Sequence, residues 1–114
     1  MSAQGISEIS TRKAPRAVGP YSQAVRAGNF VFVSGQIPFD PETDAVISGG
    51  IGEQTLQVMK NIGAILSSIG LGFGDIVKTE VYLKDMSDFP LMNEAYASFF
   101  SGGTNPARAT VEVS

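Results

Sequence analysis

The chain has 114 residues, of which 43% are hydrophobic, and a formal net charge of −3. These values fit one domain with a single core and give no broad positive field for nucleic acid or an anionic membrane. Cysteine and histidine are both absent, which excludes disulfides, thiolate nucleophiles, the usual zinc sites and triads with an imidazole base. The first ten residues lack an apolar signal core and no apolar run spans a membrane, so we expect a cytoplasmic protein.

The first third of the chain predicts three strands, at residues 6–11, 21–27 and 29–36. The last two are joined by Gly28-Asn29, a pair typical of the tight hairpin turns that need positive φ. The third strand alternates phenylalanine on one face with valine on the other over residues 30–33. A strand that is apolar on both faces is normally covered on both sides.

The clearest helix is predicted over residues 51–69, after a polar turn at 38–44. Apolar residues recur there at spacings of three and four, namely Leu56, Met59, Ile62, Leu66 and Ile69, with Val58 and Ile65 widening the stripe. Gly70 ends this helix. A strand at 76–84 follows, then a helix that begins at Ser87 or Asp88, and a final strand at 105–114.

The predicted order β-β-β-α-β-α-β defines the fold class. It is α+β, with a mixed, mainly antiparallel sheet and two helices packed on one face. Two helices cover only one side of such a sheet, which leaves the doubly apolar strand with hydrophobic surface facing outward. Another copy of the chain is the simplest cover, so the pattern predicts a homo-oligomer.

The final strand carries the most distinctive polar residue. Strict alternation puts small apolar residues on one face and polar residues, Arg108 among them, on the other, which we expect to lie away from the core. Arg108 is the only cationic residue after Lys84. A guanidinium fixed on a strand offers a rigid fork of donors that fits a carboxylate or a phosphate. The alternative is an ion pair with a neighbouring glutamate on a solvated face.

Several motifs occur in order between about residue 14 and residue 114. They include Gly19-Pro20-Tyr21-Ser22-Gln23-Ala24, Val33-Ser34-Gly35-Gln36, Asn93-Glu94 with Tyr96-Ala97, and Pro106-Ala107-Arg108 with Val111-Glu112-Val113. Together they resemble the motifs of the RidA/YjgF family of small imine deaminases. The resemblance implies a RidA/chorismate-mutase-like fold and a homotrimer, with three active sites in clefts between subunits.

The resemblance also implies an activity. It is the hydrolysis of 2-imino acids, such as 2-iminopropanoate and 2-iminobutanoate, to 2-oxo acids and ammonia. These reactive compounds leave pyridoxal-phosphate-dependent serine and threonine dehydratases, which would be functional partners. The family uses no metal and no organic cofactor, in agreement with a chain that has neither histidine nor cysteine.

The site residues implied by the resemblance fall into two groups. Those expected to be catalytic are Arg108, Tyr21 and Ser34, and those expected to bind substrate are Arg108, Gly35, Asn93 and Thr110. Arg108 matches the arginine that holds the substrate carboxylate with two hydrogen bonds. Thr110 stands where many members have cysteine. The other four match positions that line or border the cleft.

The end of the sequence departs from the family pattern. Family members continue into one more strand, which carries a glutamate thought to position the attacking water. The single domain expected over residues 1–114 lacks that strand, and Glu112 is not a substitute because it has a motif position of its own. We expect a longer chain, since the loss of a strand would leave an open sheet edge; the alternative is a protein without this carboxylate.

Two other functions stay open. A trimer that binds 2-oxo acids or other small carboxylates through Arg108, without turnover, fits a chain that lacks the glutamate. Some relatives are described as ribonucleases or translation inhibitors. The acidic composition, the absence of histidine and the lack of a basic aromatic groove argue against a nucleic-acid partner here.

Overall fold

The computed structural model describes residues 5–114. Its elements are, in chain order, β1 (Ile6–Ile9), β2 (Ala24–Ala27), β3 (Phe30–Val33), β4 (Phe39–Asp40), β5 (Ala45–Val46), α1 (Ile51–Ser67), β6 (Lys78–Leu83), α2 (Phe89–Ala97) and β7 (Ala107–Glu112). Single turns of 3₁₀ helix precede β6 and α2. No helix in this part of the chain is both long and apolar enough to cross a membrane.

The strands form three hydrogen-bonded groups. β1, β2 and β3 make an antiparallel sheet, β4 and β5 a small antiparallel hairpin, and β6 and β7 a parallel pair. This is the mixed, mainly antiparallel α+β class that the sequence predicts. The β4–β5 hairpin was assigned to a polar turn followed by a loop, because strands of two residues are too short to show a period.

Two glycines, one in the β2–β3 turn and one after α1, have the positive φ that their positions favour. Gly28, between β2 and β3, has φ of +60°, and Asn29 has no positive φ, as in a type II′ turn. Gly70 has φ of +78°, and the amide of Leu71 donates to the carbonyl of Leu66 over 2.9 Å. That bond belongs to the Schellman motif that closes a helix, with Gly70 in the predicted C′ position, while the regular α-helix extends to Ser67.

Helix α1 lies against both larger groups of strands. Ile65 packs with Ile9 and Ala24 of the antiparallel sheet and with Ala14 in the loop between β1 and β2. On the same helix, Met59 packs with residues of β6 and α2. The buried stripe differs from the prediction, because Leu56 is 41% exposed while the polar residues Thr55 and Asn61 are buried.

The antiparallel sheet has one covered face and one open face. Val31 and Val33 of β3 pack towards Ile65, whereas Phe30 and Phe32 are 62% and 59% exposed. This arrangement confirms the predicted hydrophobic surface that faces away from the helices. Large aromatic side chains left open in this way are typical of a surface that another chain covers.

The two faces of β7 are reversed relative to the prediction. Arg108 pairs in register with Thr79 of β6 and contacts side chains of α2, so its face is the one covered by the helix. Val111 and Val113, on the apolar face, are 45% and 42% exposed. The expected placement of Arg108 away from the core was wrong. Alternation separates two faces but does not tell which one a helix covers.

Candidate functional site

Arg108 projects from β7 onto one face of α2. Its Nη1 donates a hydrogen bond of 2.7 Å to Oδ1 of Asn93. Its Cζ lies 4.9 Å from the ring centroid of Tyr96 and 5.4 Å from that of Phe89. The side chain is nevertheless exposed, and within residues 5–114 Asn93 is its only hydrogen-bond partner. Most of its five N–H donors are therefore available to an anion.

Thr110 lies two residues further along β7, on the same face as Arg108. Its Oγ1 is buried and has no hydrogen-bond partner among the described residues. Buried hydroxyls without a partner are rare in folded proteins, because the lost hydration is not replaced. The atom is therefore a candidate contact for a ligand bound beside Arg108.

Tyr21, Ser34 and Gly35 form a second group, next to the antiparallel sheet. The Tyr21 ring is 51% exposed, and its hydroxyl accepts a long hydrogen bond of 3.4 Å from the Val18 amide. Ser34 Oγ donates to the Ser22 carbonyl over 2.6 Å. A Cβ added to Gly35 would have no neighbour within 4 Å, so packing within the chain does not require glycine there.

Gln23 holds the loop that leads to this second group. Only 4% of its surface is exposed. Its Oε1 accepts from the Thr11 amide over 2.7 Å, and its Nε2 donates to carbonyls of Thr11, Ala14 and Pro15. Sequence reasoning used this glutamine only as part of the Gly-Pro-Tyr-Ser-Gln motif. Its burial accompanies hydrogen bonds to residues eight to twelve positions earlier in the chain, which the sequence does not reveal.

The predicted site residues thus fall into two separate places on one chain. Arg108, Asn93 and Thr110 belong to β7 and α2, whereas Tyr21, Ser34 and Gly35 lie around β2 and β3. No hydrogen bond within residues 5–114 joins one place to the other. Glu112 lies at the end of β7 on the same face as Arg108, and its Oε1 accepts from the Met86 amide over 2.9 Å.

Three aromatic and polar residues around Arg108 were missed as site residues. The sequence placed Tyr96 in a family motif and on the apolar side of the second helix. It gave Tyr96, Phe89 and Thr79 no role at the site. Phe89 and Tyr96 approach the guanidinium, and the Tyr96 hydroxyl lies 2.7 Å from Thr79 Oγ1. The spacing of four and then three between residues 89, 93 and 96 was the available signal.

Charged groups elsewhere in the described chain are mostly solvated. The backbone amide of Ser87 donates to the Asp85 carboxylate and, with the Ser87 side chain, lowers the pKa of Asp85 below its ordinary value. A cleft of about 420 Å³ lies beside the loop of residues 11–17, and Arg12, Arg16, Glu8 and Asp44 are among its lining residues. None of the predicted site residues lines it.

The comparisons with known proteins concern nearly the whole chain. The family model described as Endoribonuclease L-PSP matches residues 11–114. The chain belongs to this family. A RutC family protein of Pyrococcus horikoshii is 55% identical over 106 residues, which cover 93% of this chain and 83% of that protein.

Two further relatives bear on the resemblance to RidA/YjgF proteins, which these comparisons confirm. A mouse protein named 2-iminobutanoate/2-iminopropanoate deaminase is 47% identical over 105 residues, covering 92% of this chain and 77% of that one. The crystal structure of Escherichia coli TdcF with bound serine has a TM-score of 0.88 at 41% identity, covering 94% of this chain and 85% of that one. The family relationship and the fold are therefore established.

Proposed function

We propose that this protein hydrolyses reactive 2-imino acids, such as 2-iminopropanoate and 2-iminobutanoate, to 2-oxo acids and ammonia. The observation that carries the proposal is Arg108, an exposed guanidinium held by Asn93 and two rings with donors left for a ligand. Such a fork suits the carboxylate that all these substrates share. The name of the mouse relative and the amino acid bound to TdcF support the same substrate class.

In the proposed reaction Arg108 fixes the substrate carboxylate and so sets the position of C2. Water adds its oxygen to C2 of the protonated imine and loses a proton, which gives a carbinolamine. The amino group takes up that proton, and the C–N bond breaks as the hydroxyl oxygen forms the ketone carbonyl. The departing ammonia takes up the hydroxyl proton and becomes ammonium. The iminium carbon is already electrophilic, so positioning and modest proton transfer are sufficient. Thr110 Oγ1 has no hydrogen-bond partner among the described residues, and donation to the bound substrate would supply one.

We assign the water-orienting role to neither Glu112 nor Asp85. The family resemblance implies a carboxylate in that role, but Glu112 Oε1 accepts from the Met86 amide and Asp85 Oδ1 accepts from the Ser87 amide. Ser34 is also unsuited to proton transfer, because its hydroxyl donates to the Ser22 carbonyl. We therefore revise the expected role of Ser34 from catalysis to positioning of the loop that carries Tyr21.

We further propose a homotrimer in which each site lies between two subunits. Phe30 and Phe32 expose an apolar face on one sheet, and Val111 and Val113 expose another beside the Arg108 strand. Contact between these faces would bring Tyr21 and Gly35 of one subunit towards Arg108 of the next. A mass of three chains by light scattering is expected, and a monodisperse monomer would contradict this assembly.

A non-catalytic trimer that binds small 2-oxo acids is the second candidate. One observation favours it: the Ser34 hydroxyl and the Glu112 carboxylate, two groups capable of proton transfer, are both engaged by the backbone. The ribonuclease named in the family description receives no such support. The net charge of −3 and the absence of histidine argue against it for this chain.

The test is a coupled assay in which a pyridoxal-phosphate-dependent serine dehydratase generates 2-iminopropanoate. We expect the protein to accelerate release of the 2-oxo acid above the spontaneous rate. Arg108→Ala should reduce kcat/KM by roughly 30-fold or more, the equivalent of charge-assisted hydrogen bonds worth about 2 kcal/mol. Hydrolysis at the spontaneous rate in the presence of a folded trimer would contradict the proposal.

Arg26→Ala is the matched control for this assay. Arg26 is an exposed arginine on β2, and it pairs in register with Val31, whose side chain packs on the helix side of the sheet. It therefore occupies the same kind of position as Arg108 on the other sheet, without the contacts to α2. Its replacement should leave the rate within twofold of the unmodified protein. Saturable binding of 2-oxobutanoate without turnover would identify the second candidate function.

A further inference from the structure

One face of α2 supplies three side chains that surround the Arg108 guanidinium. We call Phe89, Asn93 and Tyr96 the Arg108 cradle. Their spacings of four and three residues put them on the same side of the helix. Asn93 Oδ1 accepts from Nη1 over 2.7 Å, and the two rings lie 5.4 Å and 4.9 Å from Cζ. Both ring distances are within the range of cation–π attraction.

The ring of Tyr96 is itself held in place from two sides. The residue is 8% exposed, and its hydroxyl lies 2.7 Å from Thr79 Oγ1 on the neighbouring strand. Thr79 is the register partner of Arg108 in the parallel pair. On the other side, the Phe100 ring centroid is 4.8 Å from that of Tyr96. The Tyr96 ring beside the guanidinium is therefore held by contacts within the chain, with no ligand needed to place it.

The cradle fixes both the position of the guanidinium and the orientation of its plane. A guanidinium is flat and weakly hydrated, so its face can lie on an aromatic ring while its edge keeps its donors. Asn93 takes one donor at Nη1, which limits rotation of the plane and leaves the remaining edge for a ligand. A lysine ammonium is a strongly hydrated point charge and has no plane to align in this way.

We propose that Phe89, Asn93 and Tyr96 are positioning residues that hold Arg108 ready for a two-point contact with the substrate carboxylate. This inference rests on the proposed function for its substrate and on the contacts above for its geometry. It changes the role of Asn93, which was expected to bind substrate and acts here through Arg108. It also makes arginine the required residue at position 108, in preference to a cation in general.

The first experiment tests the contact between Arg108 and the cradle without any substrate. It measures the chemical shift of the Arg108 Nε–Hε group in a nitrogen–proton NMR spectrum. The Phe89 ring should shift this proton from the value of a solvated arginine. Phe89→Leu should move the signal towards that of Arg26, whereas Phe89→Tyr should leave it in place because the ring is kept. An Arg108 signal that is the same in Phe89→Leu as in the unmodified protein would overturn the proposal.

The second experiment measures binding and turnover with the same variants. Phe89→Leu and Asn93→Ala should each weaken 2-oxobutanoate binding and raise KM for the imine by about three- to tenfold. Their kcat should change less than twofold, because the bound carboxylate still positions C2. Asn93 is only half-buried, so its variant keeps the test valid if Phe89→Leu folds poorly. Unchanged binding in both folded variants would also overturn the proposal.

The two failures are distinguishable. In one outcome, the NMR signal responds to Phe89→Leu as expected, but the unmodified protein does not accelerate imine hydrolysis. The positioning role of the cradle is then supported and the proposed function is contradicted. If hydrolysis depends on Arg108 but Arg108→Lys retains it within twofold, the cradle is overturned and the function stands.

Discussion

The two groups of candidate site residues use their polar atoms in opposite ways. At Arg108, the guanidinium donates a hydrogen bond to the Asn93 side chain, and the rest of its edge remains open to solvent. Around Tyr21 and Ser34, side chains hold the main chain: Ser34 bonds to the Ser22 carbonyl, and Gln23 bonds to three residues of the preceding loop. One region presents a functional group, and the other fixes the backbone that presents an aromatic ring.

This difference separates residues that look equivalent in a sequence. Ser34 and Arg108 both belong to distinctive motifs. Of these two residues, only Arg108 has hydrogen-bond donors without a partner in the described chain. The difference also predicts distinct failures. Substitutions near Ser34 should lower the free energy of unfolding, whereas substitution of the exposed Arg108 or the half-buried Asn93 should lower binding and leave stability nearly unchanged.

The largest effect is expected from a substitution that separates the two regions, because we propose that they meet between subunits. Phe32→Asp puts a charge on the open face of β3, where the side chain is 59% exposed. Burying that charge between subunits is costly, so the trimer should dissociate and turnover should fall with it. Light scattering and the coupled assay measure the two losses. Val46→Asp, at an exposed position on β5, is the control, and a dissociated Phe32→Asp protein that keeps its turnover would contradict the shared site.

The next effect is on stability alone. Gln23→Ala leaves one amide and three carbonyls without their partner, so we expect the free energy of unfolding to fall by about 2–4 kcal/mol. Urea titration followed by circular dichroism measures it. Gln57→Ala, which removes one bond to Asn61, should cost clearly less. Equal losses for the two variants would remove the special role of Gln23.

A smaller effect is expected at Ser34. Ser34→Ala removes one hydrogen bond to the Ser22 carbonyl, which should cost about 1 kcal/mol of stability. Because the hydroxyl proton is already donated, turnover should stay within about threefold of the unmodified protein. Ser7→Ala, at an exposed position on β1, is the control. A hundredfold loss of turnover would restore the catalytic role first expected for Ser34.

The smallest effect concerns pH and the turn before α2. Bonds from Ser87 lower the pKa of Asp85 below its ordinary value of 3.8. A lowered pKa in the folded state means that this carboxylate stabilises the fold above pH 4 and loses that contribution as the pH falls through the lowered pKa. Asp85→Ala should therefore lower Tm slightly at pH 7, and this difference should shrink as the pH falls through the lowered pKa. Asp88→Ala is the control, since Asp88 caps α2 without a side-chain bond. A Tm difference that does not shrink on acidification would contradict this assignment.

Much of the fold follows from sequence patterns because those patterns are local. The helix at 51–67 has a sustained apolar period, and Gly28 and Gly70 take the positive φ that their positions predict. The β4–β5 hairpin was missed because its strands are too short for a period. The exposed Leu56 shows that the apolar period of a sequence locates the buried face of a helix only to within about one residue.

The site was predicted less completely, for a physical reason. Motifs identified Arg108 and Asn93, and the structure places them in contact. They could not show that the Arg108 face of β7 lies under α2, because a strand's alternation is the same whichever face is covered. Nor could they show that Tyr96 serves both the core and the guanidinium, since a buried aromatic on a helix has the same sequence pattern in either role.

The most direct test of the account is a crystal structure of the protein with 2-oxobutanoate, a stable product of the proposed reaction. We predict that the ligand carboxylate lies within hydrogen-bond distance of two Arg108 nitrogens, near Thr110 Oγ1, with Tyr21 supplied by an adjacent subunit. A ligand bound instead in the cleft beside Arg12 and Arg16, with no ligand at Arg108, would contradict the central claim.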